Sequence, residues 1–221
     1  MKIYDISVPI SLTSVVWPDD PKVAIRKLSK IANGDEVNVS QISMSLHTGT
    51  HIDAPNHFID NGKTIDQVPL EKLVGEVLVM SFEDHIKVIN EQALVSHPML
   101  QELLNARKVI FKTSNSFHLD MSRGKFSEDY VGIDKSGAKY LSGLNLDLIG
   151  VDYLSVSSFN DTQEPHQILL NKEIVLLEGI SLVQVPPGSY TLYCLPLLIS
   201  GSDGAPARTI LIQENEEIKL T

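Results

Sequence analysis

From Ile3 onward polar and apolar residues alternate. Ile3, Asp5, Ser7 and Pro9 fall on one side of an extended backbone, and Tyr4, Ile6, Val8 and Ile10 on the other. That period of two predicts a strand with one buried face. Two prolines and two aspartates in residues 16–21 predict a loop, after which residues 23–31 resume as a strand. Residues 37–46 alternate again and are rich in Ser with weak helix formers, so they too read as extended. Residues 74–82, 108–112, 148–151, 174–177, 190–198 and 209–213 are further apolar strands. Helical spacing is scarcer. Ala93, Leu94, Met99, Leu100, Leu103 and Leu104 share a face over residues 90–106, with Pro98 read as lying near a helix start. Residues 133–144 form a second helical pattern that stops at Gly143, and 165–171 a short third; 70–73 suit a single turn. Residues 155–164 are polar and read as loop. No internal repeat or linker divides the chain, so the pattern predicts one α/β domain with mixed sheets over residues 1–221.

Composition narrows the class. With 43% hydrophobic and 21% charged residues, the 221-residue chain has the make-up of a soluble globular protein. Its net charge of −10 repels phosphate backbones, which argues against nucleic-acid binding. No apolar run has the length of a membrane span and no secretory leader is visible, so a cytoplasmic location is expected. The single cysteine, Cys194, sits in the apolar stretch Tyr193-Cys194-Leu195 and is expected in the core.

The chemistry concentrates in one segment. Of seven histidines, His47, His51 and His57 fall within eleven residues, together with Asp53. Imidazole and carboxylate are the usual ligands of catalytic zinc and manganese. On a helix, His47 and His51 would share a face that Asp53 and His57 do not join. On a strand all four point one way, yet His47 and His51 would then stand about 13 Å apart. Parallel side chains at that separation cannot meet at an ion about 2 Å from each ligand. The chain must therefore bend, and Gly49 and Pro55 lie where bends are needed. A second region offers partners: Glu164-Pro165-His166, and Glu178 at the end of an apolar strand just before Gly179. His85, His97 and His118 lie outside these motifs and are expected to be structural or at the surface.

The run His47-Thr48-Gly49-Thr50-His51-Ile52-Asp53-Ala54-Pro55-Asn56-His57-Phe58 resembles the central pattern of the cyclase family of metal-dependent hydrolases, which includes bacterial kynurenine formamidases and isatin hydrolases. The resemblance extends through Asp5-Ile6-Ser7-Val8-Pro9-Ile10, Trp17-Pro18-Asp19-Asp20-Pro21, Gly150-Val151-Asp152-Tyr153, Leu176-Leu177-Glu178-Gly179-Ile180 and Leu195-Pro196-Leu197. It implies a swivelling β/β/α-type single domain and a homodimer or homotetramer. It implies metal ligands at His47, His51 and Asp53, completed by His166 and Glu178 where two ions bind, with one or two divalent ions, zinc or manganese. It implies a catalytic role for His57. The stretch from Asp152 to Phe159 differs from the Asp-Thr-Pro-Ser run of kynurenine formamidases.

The expected activity is hydrolysis of an amide or related carbonyl bond in a small N-acyl or cyclic substrate, through a metal-activated water. Trp17, Phe58 and Tyr153 are the candidate substrate contacts, each with core packing as its alternative, and Thr50 or Ser45 could orient ligands. Two other readings stand beside it: lactone hydrolysis or dehydration on the same site, and a metal-loaded small-molecule binding protein without turnover. His57 speaks against the last, since binding alone needs no acid–base group beside three ligands. Structural zinc fits poorly, because such sites are usually cysteine-rich.

Overall fold

Strands that read as unbroken apolar runs need cover on both faces, and the arrangement of the sheet supplies it. A computed structural model describes residues 1–214; the last seven residues of the expected 1–221 domain lie outside the described part. The elements, in chain order, are β1 (Lys2–Asp5), β2 (Ala24–Ser29), β3 (Val39–Ser43), β4 (His51–Asp53), β5 (Val74–Ser81) and β6 (Val88–Ile89), then helices α1 (Glu91–Val95) and α2 (Leu100–Asn105). There follow β7 (Lys108–Lys112), α3 (Asn115–His118), β8 (Gly132–Ile133), α4 (Lys135–Ser142), β9 (Leu148–Val151), α5 (Gln163–Leu170), β10 (Val175–Glu178), β11 (Gly188–Pro196) and β12 (Gly204–Gln213).

Eight strands form the main sheet in the order β1-β12-β11-β5-β7-β9-β10-β4, and β4 also pairs with β12. Seven strands thereby close into a mixed, barrel-like ring. The run β5-β7-β9-β10 is parallel, and the remaining pairings are antiparallel. Strand β12 is long enough to hold β4 at its start and β1 at its end along one edge. This is the mixed α/β domain the sequence predicts; the strand order does not by itself establish the swivelling β/β/α label.

The alternation along β5 explains the two-layered core. Val77 and Val79 join Ile52, Ile110, Leu177, Leu192 and Cys194 in the cluster that fills the ring. Leu78 and Met80 point the other way, with Val109, Phe111, Ile149 and Leu176, against Leu94, Leu103, Leu141 and Leu169 from the helices. Each such fully buried aliphatic side chain contributes about 1.5–3 kcal/mol. Cys194 is wholly buried, as expected, and burial pushes its thiol up to about 12.

Two expectations need correction. Residues 90–106 form two short helices, because the segment around Pro98 breaks the pattern: proline has no N–H to donate and disfavours helical backbone at His97. The last strand begins at Gly204, five residues before residue 209, in a Gly-Ala-Pro-Ala stretch whose low strand propensity hides it. The hairpin β2–β3 forms, but Ile25, Leu28, Val39 and Ile42 are all exposed on it. No helix among the described residues is long and apolar enough to cross a membrane.

Candidate metal centre

The bend demanded by the histidine spacing is present. Residues 46–50 turn, with Gly49 at φ +69°, before the three residues of β4; Pro55 then starts a 3₁₀ turn, Pro55–His57. The turn at Gly49 packs on Gly179, itself at φ +68°, where a Cβ would lie 2.1 Å from the Gly49 carbonyl oxygen. Only glycine suits a position that combines that φ with that contact. Thr50 fastens the same junction: its hydroxyl accepts a hydrogen bond from the Val8 N–H (2.9 Å) and donates to the Gly179 carbonyl (2.5 Å).

Strand β4 is wedged between β10 and β12. Ile52 enters the ring, so His51 and Asp53 face outward together. In register, Glu178 stands opposite His51. His166 comes down from α5, so that its Nε2 is 3.3 Å from Glu178 Oε1 and 3.8 Å from Asp53 Oδ2. The turn before β4 returns His47, whose Nδ1 lies 2.7 Å from Asp53 Oδ1. The 3₁₀ turn brings His57 face to face with His47, ring centroids 3.9 Å apart.

Hydrogen bonds fix which imidazole nitrogens face the centre. His51 Nδ1 donates to the Gly49 carbonyl at 2.9 Å, which aims Nε2 between Asp53 Oδ1 and Glu178 Oε2, each 3.3 Å away. His166 Nδ1 donates to the Thr162 carbonyl at 2.5 Å, aiming its own Nε2 inward. His51 Nε2 and Asp53 Oδ2 are buried without a hydrogen-bond partner among the described residues. Buried polar atoms seldom stay unsatisfied, and an ion is one recognised cause. The donor set suits a divalent cation: His51, Asp53 and Glu178 offer ligand atoms within 4.8 Å of one another, as do His47, Asp53 and His57. Asp53 belongs to both groups. The expected ligands His47, His51, Asp53 and Glu178 fall within these two groups, and His57 lies beside them.

The same crowding sets the proton affinities. Burial alone would lower His47, but the Asp53 charge and the hydrogen bonds to Asp203 and Asp53 raise it to about 10. For His51 burial is likewise outweighed, by Asp53 and Glu178, giving about 9. His57 goes the other way: burial lowers it, the Asp53 charge opposes that, and His47 and His166 lower it further. His57 is therefore neutral at neutral pH. Burial raises the Asp53 carboxyl, but the surrounding imidazoles hold it well below the usual carboxylate range.

A cleft of about 400 Å³ opens over this floor, lined by His47, His57, His166 and Glu178 below and by Trp17, Phe58 and Leu154 at the sides, with Ser45, Ser155, Thr162, Asp20 and Asp203. Trp17 is half-buried and rests against Phe126 (4.9 Å between centroids) and Phe159 (5.7 Å), so it packs and lines the cleft at once. Phe58 lies against His166 at 4.3 Å. Tyr153 does not line the cleft. It is 1% exposed, and its hydroxyl is bound to the backbone of Ser127, accepting from the N–H and donating to the carbonyl. The next two residues, Leu154 and Ser155, take the lining position. Of the two residues expected to orient ligands, Thr50 lies at the junction behind β4 and Ser45 lines the cleft. His85 and His118 are exposed, and His97 bonds the Ser81 carbonyl, all away from the centre.

Asp203 escaped the sequence reading. Its Oδ2 lies 2.7 Å from His47 Nε2 and 3.5 Å from His57 Nδ1, and the hydrogen bond to His47 lowers its carboxyl to about 2. It comes from the turn Gly201-Ser202-Asp203-Gly204 just before β12, and that turn, an acidic residue beside glycine at a strand start, is the only local signal it leaves.

The chain is similar to known proteins along nearly its whole length. Residues 4–158 match the family described as "Putative cyclase". A kynurenine formamidase of Salinibacter ruber is 35% identical over 214 residues, spanning 96% of this chain and 97% of that protein. Cyclase-like protein 1 of Arabidopsis thaliana is also 35% identical, over 221 residues, spanning 96% of this chain and 85% of its own. A solved structure named "Potential Metal-Dependent Hydrolase With Cyclase Activity" superposes with a TM-score of 0.82 at 28% identity, covering 97% of this chain and 99% of that one. The match to residues 4–158, which spans the whole histidine segment, and the two relatives aligned along nearly the entire chain make this protein a member of the cyclase family.

Proposed function

We propose that the chain is a metal-dependent hydrolase that cleaves an amide bond in a small N-acyl or cyclic aromatic substrate. The observation that carries the reading is the buried carboxylate of Asp53, shared by two groups of candidate ligands at the floor of an aromatic-walled cleft. Its relatives include a kynurenine formamidase, which supports amide chemistry. His47, His51, Asp53, His166 and Glu178 would hold one or two divalent ions, zinc or manganese. Such an ion supplies Lewis acidity toward a carbonyl and lowers the pKa of water toward neutrality.

The chain's own groups do the rest. His57 is neutral at neutral pH and reaches the cleft, so it can take a proton from water and return it to the leaving nitrogen. Asp203, beside its Nδ1, steadies the ring and the charge it gains. Trp17 and Phe58 hold a flat ring between them, and Ser155 offers a hydroxyl to its polar edge. Leu154 keeps that side of the cleft dry.

The chain is further proposed to work as a homodimer or homotetramer. A two-stranded hairpin is marginal on its own, and β2–β3 exposes apolar side chains that a second copy would cover.

The test is metal analysis of the purified protein, paired with product release from N-formylkynurenine and from isatin, with and without added Zn²⁺ or Mn²⁺. Near-stoichiometric metal and turnover of either compound support the reading. Bound metal without turnover of either removes the arylamide assignment; no metal under any condition removes the whole proposal.

A further inference from the structure

Rim charge and aromatic walls together specify what the cleft admits. Among the described residues, those that line it include three acids, Asp20, Glu178 and Asp203, and no lysine or arginine, although the chain has 18 of these basic residues. Glu178 lies on the floor with Asp53 buried beneath it, and one divalent ion there would match the two. Asp203 and Asp20 stand above the floor and are then left over. A second ion would bring the cleft to balance and not to a positive excess. The net charge of −10 repels anions from the chain in general. Sites that take carboxylates ordinarily provide arginine or lysine for them. Among the described residues the one counter-feature at the rim is the N-terminal turn of α5 at Thr162, and Glu164 sits within that turn.

We infer that the cleft selects neutral or cationic aromatic substrates and discriminates against those carrying a free carboxylate on the ring, with Asp20 a specificity-determining residue. The inference deepens the amide-hydrolase reading and borrows from it only the formamide group of the probes. The Asp20 N–H donates to the Trp17 carbonyl (3.1 Å), which fixes the backbone of Asp20 beside Trp17, and both residues line the cleft. A ring lying on Trp17 therefore carries its substituents into the field of Asp20 and Asp203. A carboxylate there is repelled, an ammonium attracted, and an amide is indifferent.

Three nearly isosteric probes separate these cases: 4-formamidobenzamide, 4-formamidobenzoate and 4-formamidobenzylammonium. Trp17 is the only tryptophan, so quenching of its fluorescence in the zinc-loaded protein reads binding independently of turnover. At low salt the amide and the ammonium should bind at least about tenfold more tightly than the carboxylate, and about 0.5 M salt should shrink that gap. Asp20→Asn should shrink it as well. Equal or tighter binding of the carboxylate overturns the inference, as does a gap that neither salt nor Asp20→Asn alters, or the absence of quenching by any probe. If the ranking holds but no formamide is cleaved, the hydrolase reading fails and charge selection stands. If all three are cleaved with equal kcat/KM and bind equally, the reverse is true.

Discussion

Replacing Thr50 with valine should unlatch the junction behind the metal centre while leaving its volume unchanged. The hydroxyl of Thr50, 2% exposed, joins three segments: the stretch after β1 at Val8, the turn that ends in β4, and Gly179, next to Glu178. Valine keeps the methyl packing and removes both hydrogen bonds, stranding a buried N–H and a buried carbonyl. Each stranded group costs about 1–3 kcal/mol, and the extra apolar surface returns a fraction, so a net loss of about 3 kcal/mol is expected. For a chain of this size that is roughly 6–12 °C in Tm. Thr50→Ser retains the hydroxyl and loses one methyl, about 1 kcal/mol. Urea and thermal unfolding followed by circular dichroism give both values, and metal titration of the folded variants reads the consequence at the site. Because Gly179 positions Glu178, Thr50→Val should also weaken metal affinity about 10–100-fold, the usual effect of disturbing a ligand's support. A Thr50→Val protein within about 0.5 kcal/mol of the parent would refute the reasoning, and so would a serine variant as unstable as the valine one.

His57→Ala should lower kcat about 10²–10⁴-fold while metal stoichiometry, read by elemental analysis, is unchanged; loss of one equivalent of metal would make His57 a ligand instead. Asp203→Asn withdraws the carboxylate from His47 Nε2 and should weaken metal binding about 10–100-fold by competition with a chromophoric chelator, an unchanged affinity contradicting its role. The metal-free protein should lose stability between neutral pH and pH 10. His47 and His51 have folded-state values of about 10 and 9, above the ordinary 6.5, so their pairing stabilises fully below the unfolded value and fades as pH rises through the folded ones. Calorimetry in chelator that finds a flat Tm across this window would contradict it. If the proposed homodimer or homotetramer forms through the exposed hairpin, Ile42→Lys should turn it into monomers by light scattering; a parent protein that is itself monomeric overturns the proposal, and an oligomer unaltered by the substitution removes the hairpin from it.

What the sequence made legible was whatever its own neighbourhood determines. His47, His51, Asp53 and His57 are close along the chain, so spacing alone demanded a bend, and the residues able to make it, Gly49 and Pro55, were visible beside them. Strands 108–112 and 148–151 emerged with their bounds intact because they are buried on both faces and end sharply. Asp203 was not legible: it reaches His47 from 156 positions away, and only closure of the ring brings the two together. Tyr153 illustrates a different limit. Near a site that turns away from regular alternation, the sequence does not tell which of three adjacent residues faces the cleft, and Leu154 and Ser155 take that place. The helix pattern at 90–106 survived Pro98 on periodicity alone, yet backbone chemistry at His97 and Pro98 overrode it.

The site and the closure of the barrel share one set of residues. Strand β4 has three residues, all buried, and two of them are ionisable. A strand that short gains little from Ile52 alone, and burying charged groups costs several kcal/mol each unless they are compensated. Partial compensation is built in: Gly49 accepts from His51, His47 bonds Asp53, and the Val156 N–H donates to Glu178 at 2.7 Å. Among the described residues two atoms are left unmatched: His51 Nε2, 3.3 Å from Asp53 Oδ1 and from Glu178 Oε2, and Asp53 Oδ2, 3.8 Å from His166 Nε2. A cation held by His51, Asp53 and Glu178 would tie β4 to β10. Binding energy at such a position is folding energy for the seam, so a short and otherwise unfavourable strand can complete the ring. The polarity that makes β4 a poor structural element is what makes it a good floor for the cleft.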